Sequence, residues 1–165
     1  MNIFYLNRNP VECAQSHVDK HVVKMVLEYA QLLSTAHRVL DKEPRNSELI
    51  YSMTHKNHPS AVWTRSSDKA YNWLYQLFCE TANEYKYRYR KDHLTFVKLK
   101  EALSHLPMNI PKPINQEWIA PTPAMPDECK VEGDVLASYR KYYNLHKQNL
   151  ATWTRRPPPV WFERI

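Results

Sequence analysis

The chain has 165 residues, 43% of them hydrophobic, and carries a net charge of +6. That length supports one domain with a real core, and a single glycine, Gly133, argues against a large antiparallel sheet joined by hairpins that need positive φ. The basic balance favours an anionic partner, of which nucleic acid is the commonest, while no apolar run reaches the roughly 18 residues that span a bilayer.

Residues 2–6, Asn-Ile-Phe-Tyr-Leu, suit a brief strand or an extended segment laid on the core. From Asn9 to Leu40 the pattern predicts one long helix. Asn9 is the expected N-cap, Pro10 suits the first helical position and Glu12 sits in the first turn. Val11, Ala14, Val18, Val22, Met25, Tyr29, Leu32 and Ala36 recur at helical steps and mark a buried face. Cys13, His17, Lys20, His21, Lys24, Glu28, Gln31 and Thr35 fall on a narrow polar stripe. Residues 41–57 read as a loop broken by Pro44, with at most one helical turn. His58-Pro59-Ser60 opens a second helical segment through Trp63 that breaks near Ser66 and Ser67.

Ser67 and Asp68 cap a predicted helix over 68–89, with Ala70, Leu74, Leu77, Phe78, Thr81 and Tyr85 as its core stripe. A shorter helix over 94–105 carries Leu94, Val97, Ala102 and Leu103. Residues 107–126 hold six of the 12 prolines and cannot be helical throughout; an extended surface segment over 107–130 is expected. A last helix over 134–150 carries Val135, Tyr139, Tyr143, His146 and Leu150. The expected fold class is therefore mainly α: a single domain over 1–165, built around the long N-terminal helix, with a Pro-rich irregular C-terminal third.

The polar stripe gathers a thiol, two imidazoles, two ammonium groups and a carboxylate. Lys24 lies one turn from Lys20 and from Glu28, and an amine held near another ammonium or in an apolar site becomes nucleophilic. Glu28 would then move protons, and His17 and His21 would orient substrate or phosphate. The plainer reading is a packed helix with an ordinary Lys24–Glu28 ion pair. A metal reading uses Cys13, His17 and His21 at i, i+4 and i+8, with His55 and His58 as further imidazoles. The glutamate of HExxH is missing, however, and Lys20 and Lys24 would repel a cation, so no metal or other cofactor is expected. A Cys13–His17 nucleophile and base pair lacks oxyanion-hole glycines.

A second constellation mixes cations with aromatic rings: Lys86, Tyr87, Arg88, Tyr89, Arg90 and Lys91, then Arg140 and Lys141, then Arg155, Arg156 and Trp161. Cations neutralise phosphates and aromatic faces stack on bases, which suits DNA with an extruded base. Lys20 and Arg65 are candidates for the same surface. The alternative is that the rings pack in the core and the cations form a solvated rim.

The cysteines Cys13, Cys79 and Cys129 form no CxxC pair, which predicts free thiols in a reducing compartment. The opening MNIFYLNRNP lacks the basic and apolar regions of a signal peptide. A cytoplasmic protein is expected, in the host cytoplasm if phage-encoded.

The order of features resembles the small phage pyrimidine-dimer DNA glycosylases of the endonuclease V type. Ala14-Gln15-Ser16-His17-Val18 looks like the start of their long helix. His58-Pro59-Ser60-Ala61-Val62-Trp63-Thr64-Arg65, running into Tyr71 to Tyr89, looks like their second region, and Trp153 to Trp161 looks like their aromatic, basic C-terminus. The opening NPVECAQSHVDKHVVKMVLEYAQLLSTAH is also similar to that of a family of small phage proteins. The glycosylase resemblance implies attack on sugar C1′ by an N-terminal α-amine, forming an imine, with a helix glutamate assisting. Here Asn2 disfavours methionine removal, which leaves the Met1 amine for that role. Lys24 stands nearest the position of the family's glutamate, and Asp19 and Glu28 are the nearest carboxylates.

The leading expectation is a DNA glycosylase/AP-lyase-like enzyme with Met1 or Lys24 as nucleophile, acting on double-stranded DNA that is distorted or carries an extruded base. One alternative is a non-enzymatic phage protein that binds nucleic acid or a host protein. The other is a metal-dependent hydrolase or base-modifying enzyme using Cys13, His17 and His21.

Overall fold

Asn9 opens the first helix by accepting hydrogen bonds from the backbone N–H groups of Val11 and Glu12, with Pro10 at the position where no N–H is needed. The computed structural model, which describes residues 1–165, then departs from the single long helix of the sequence reading. Helix α1 (Pro10–Ser16) stops, His17 and Val18 adopt extended backbone angles, and α2 (Asp19–Leu40) starts afresh.

The break has a physical cause that lies far away in sequence. Arg88 donates to the carbonyls of His17 (2.8 Å) and Gln15 (3.0 Å), and Trp153 Nε1 donates to that of Ser16 (2.9 Å). The backbone N–H of Asp19 donates to Thr152 (2.8 Å). The backbone groups that a helix break leaves unpaired are thus satisfied by Arg88 and the tail rather than by the next turn.

Four further helices follow: α3 (Pro59–Thr64), α4 (Asp68–Tyr89), α5 (Leu94–Leu103) and α6 (Val135–His146). Short 3₁₀ turns lie at Asp127–Cys129 and Gln148–Leu150, and there is no strand. The fold is thus mainly α. Helix α4 occupies its expected range, with Ser67 as N-cap and Arg90 in the left-handed conformation beyond its end. Of its expected core stripe, only Tyr85 is not fully buried; it packs on Tyr89 and His93.

Two expectations need correction. The last helix ends at His146, not residue 150, and continues as a 3₁₀ turn. Helix α5 ends at Leu103 and buries Thr95, Leu99, Ala102 and Leu103, leaving Leu94 and Val97 83% and 64% exposed.

Helix α2 is the central element, packed against α3, α4 and α5, while α1 leans on α4. Tyr29, Leu33 and Met25 of α2 meet Leu74, Leu77 and Phe78 of α4 in the core, each such side chain contributing about 2 kcal/mol by burial. Residues 3–6 form no strand; they run extended through that core, fully or nearly fully buried. Asn2 anchors their start. Its Oδ1 accepts from Ile3 N (2.8 Å) and Tyr139 Oη (2.8 Å), and its Nδ2 donates to Ala124 (2.8 Å). No helix is long and apolar enough to cross a membrane.

Candidate active site

The anchored N-terminus delivers the Met1 α-amine to the middle of α2. Its nitrogen lies 3.4 Å from Glu28 Oε1, and Lys24 Nζ lies 3.8 Å from Glu28 Oε2. One carboxylate therefore stands between two amines. Glu28 is 13% exposed, whereas Lys24 is 67% exposed. These groups line a cleft of about 190 Å³ with Phe4, His21, Tyr142 and Lys147, and Glu28 is its only carboxylate.

The back wall of the cleft is aromatic. Phe4 stacks on the His21 ring with centroids 4.0 Å apart, and Tyr142 lies 6.3 Å from Phe4. Lys147 Nζ sits over Tyr142 at 4.8 Å and over Phe4 at 5.9 Å. His21 Nδ1 is held by Tyr143 Oη at 2.6 Å, which leaves Nε2 without a protein partner at the cleft. Burial, helped by the charges of His17, Lys147 and Lys24, pushes the His21 pKa down to about 2. His21 is therefore neutral at working pH, and with Tyr143 fixing one nitrogen the other is a hydrogen-bonding group of set orientation.

Of the five candidates for chemistry, Met1, His21, Lys24 and Glu28 converge. His17 does not reach the cleft. It is fully buried, with Nδ1 2.7 Å from the Cys13 carbonyl and Nε2 2.7 Å from Tyr29 Oη, and burial pushes its pKa down to about 4. Tyr29 Oη in turn accepts from Phe4 N at 3.3 Å, so His17 supports the N-terminal segment from behind.

The Cys13 readings fail on the same geometry. Its thiol donates to the Phe4 carbonyl (3.1 Å), accepts from Leu6 N (3.4 Å), and is pushed by burial up to about 12. His17 has spent both ring nitrogens, so Cys13, His17 and His21 offer no convergent metal ligands. His55 bonds Thr54 Oγ1 (2.7 Å) and stays outside. His58 caps α3 through Nδ1; burial and then the nearby Met1 ammonium lower its pKa. Asp19, the other candidate carboxylate, is held by Arg88 (3.0 Å) and by Thr154 N and Oγ1 (2.8 and 2.6 Å).

The basic-aromatic residues divide sharply. Arg88, expected at a nucleic-acid surface, has a side chain 0% exposed and pairs with Asp19 and Glu84 at 3.0 Å each. Arg156 grips both Glu84 oxygens at 2.9 and 3.1 Å. Burial alone would raise the Glu84 carboxyl, but these two guanidiniums hold it below the usual range. Tyr87 is covered by Arg155 and Arg156, at 4.5 and 4.1 Å from its ring, and Tyr89 is half-buried. These residues lock α4 to the tail rather than present a stacking platform.

Arg65 donates to the Lys56 carbonyl, and Lys86 pairs with Asp92 at 3.2 Å. Arg140 donates to the Leu6 carbonyl and covers Trp161 at 5.3 Å. Lys20, Arg90, Lys91 and Lys141 are exposed and unpaired. Arg140, Arg156 and Trp161 share an open hollow of about 460 Å³ with Asn7, Gln15 and the Pro157–Pro159 run.

Phe4, Tyr142 and Lys147 complete the cleft but were not among the expected site residues. Lys147 follows the end of α6 and has no local motif; Tyr142 stands in the basic-aromatic run Arg140-Lys141-Tyr142-Tyr143, which pointed to nucleic-acid binding and not to this cleft. No protein-family model, curated protein or solved structure matches the chain.

Proposed function

We propose that the protein is a DNA-acting enzyme, an N-glycosylase with lyase capability, that uses the Met1 α-amine as nucleophile. One observation carries the reading: that amine sits 3.4 Å from Glu28 Oε1 inside a cleft with an aromatic wall. The nitrogen lone pair attacks C1′ of an extruded nucleotide, and the glycosidic electron pair leaves with the base, which takes up a proton. Protons lost by the amine pass through Glu28 to solvent. The nitrogen then opens the sugar ring, O4′ is protonated, and an iminium remains at C1′. Loss of the C2′ proton expels the 3′ phosphate.

The neutral His21 edge and the Lys147-capped rings of Phe4 and Tyr142 suit an unstacked base or sugar. Lys24, largely exposed beside Glu28, complements a phosphate. Lys20, Arg90, Lys91 and Lys141 add unpaired cations for the duplex backbone.

Borohydride trapping with undamaged, UV-irradiated and abasic duplexes tests the reading. A covalent adduct on damaged or abasic DNA, mapping to Met1, is the expected result. The absence of any adduct with DNA still bound overturns the chemistry. An adduct mapping to Lys24 overturns the choice of amine.

A further inference from the structure

At the C-terminal end of α6, one turn beyond its packed Tyr143, three potential metal ligands meet. Glu128 and Cys129 come from the 3₁₀ turn and His146 from the last residue of the helix, and their ligand atoms all lie within 4.8 Å of one another. His146 Nε2 and Glu128 Oε1 are 3.1 Å apart. The Cys129 thiol is fully buried and makes no hydrogen bond, although it faces an imidazole and a carboxylate. A buried sulfur left unpaired beside two good donors has the chemistry of an anchor ligand.

We propose that Glu128, Cys129 and His146 form a zinc site, with water in the fourth position. Zinc binds sulfur at about 2.3 Å and imidazole or carboxylate at about 2.1 Å, so tetrahedral ligand atoms stand about 3.5 Å apart. The three atoms therefore need shifts of about 1 Å. Those shifts fall on Glu128 and His146, which are exposed and free to adjust, while Cys129 stays in place. Binding expels the Cys129 thiol proton to solvent.

The backbone around the cluster is already held. Cys129 N donates to Pro126 (2.9 Å) and Lys130 N to Asp127 (3.0 Å), and Ser138 Oγ accepts from Val131 N at 2.8 Å, tying the turn to α6. The metal would clamp the Pro-rich segment to the end of α6. The His146 ring also rests 5.7 Å from Tyr142, and Lys147 is the next residue, so the clamp stiffens one wall of the cleft. The proposal does not depend on the reaction assigned to that cleft.

Cobalt(II) titration of the untagged, metal-free protein is the decisive experiment. One equivalent should bind with a thiolate-to-cobalt charge-transfer band and tetrahedral visible bands, and zinc should displace it. Cys129→Ser should abolish the charge-transfer band, and His146→Ala should weaken zinc binding by more than about tenfold. Cys79→Ser is the control and should change neither. No charge-transfer band in the parent protein, or a band that survives Cys129→Ser, overturns the site. Circular dichroism of each variant establishes that a lost band reflects a lost ligand and not lost folding.

Discussion

Oε1 of Glu28 lies 3.4 Å from the Met1 amine, and no other carboxylate lines the cleft. Glu28→Gln keeps the shape and removes the charge and the proton acceptor. Single-turnover strand nicking and borohydride trapping should fall by about 10²–10⁴-fold, while DNA affinity in a gel-shift assay stays nearly unchanged. Lys24→Gln should cost less than about tenfold in the same assays, because that amine is largely solvated. Equal losses of binding and turnover in Glu28→Gln would sink the role given to Glu28.

Asn2 positions the amine through three hydrogen bonds. Asn2→Ala should lower unfolding free energy by about 1–3 kcal/mol, since it leaves buried partners unsatisfied. It should also slow trapping by about 100-fold, because a nucleophile displaced by about 1 Å loses that much. Tyr139→Phe removes one of these three bonds together with the hydroxyl's bonds to Ala124 N and the Thr122 carbonyl, so it should cost comparable stability but far less trapping. Urea melts beside trapping rates check the pair.

Arg88→Ala leaves Glu84 with Arg156 alone and Asp19 with Thr154 alone, and uncaps the carbonyls of Gln15 and His17. A loss of about 3–5 kcal/mol in a denaturant melt is expected. Arg88→Lys should recover little, because one ammonium cannot reproduce a planar fork with four acceptors. An exposed cation such as Lys91, changed to Ala, should leave stability within about 0.5 kcal/mol.

Burial lowers the pKa of His17 to about 4 and that of His21 to about 2, from an ordinary 6.5. The unfolded chain therefore binds protons that the folded chain refuses, and stability falls as pH drops below about 6.5. For His17 the loss is complete near pH 4 and amounts to about 3 kcal/mol; for His21 it continues to lower pH. Urea midpoints between pH 7 and pH 4 should fall steadily. His17→Asn should flatten that slope, and an unchanged slope would contradict the buried, neutral imidazole.

Local pattern made several elements legible. Ser67 as N-cap and the apolar spacing through Phe78 define α4, and Asn9-Pro10 defines the start of α1. The break at His17-Val18 was not legible, because it is imposed by Arg88 and Trp153, distant in sequence. Apolar spacing runs through it unbroken. Likewise, Arg88 reads as one cation in a basic run until its partners Asp19 and Glu84 are in view. The stripe put Glu28, Lys24 and His21 on one helix face, and all three line the same cleft. Lys147 and the group Glu128, Cys129 and His146 come from separate elements, so no spacing rule could join them.

Residues 3–6 run through the core and Asn2 bonds to Ala124 and Tyr139. The segment is therefore seated by partners 122 and 137 residues further along the chain. The cleft thus depends on long-range closure as well as on the α2 face that carries Glu28. The distance between the Met1 amine and Glu28 is therefore set by contacts that close most of the chain on itself, and not by α2 alone.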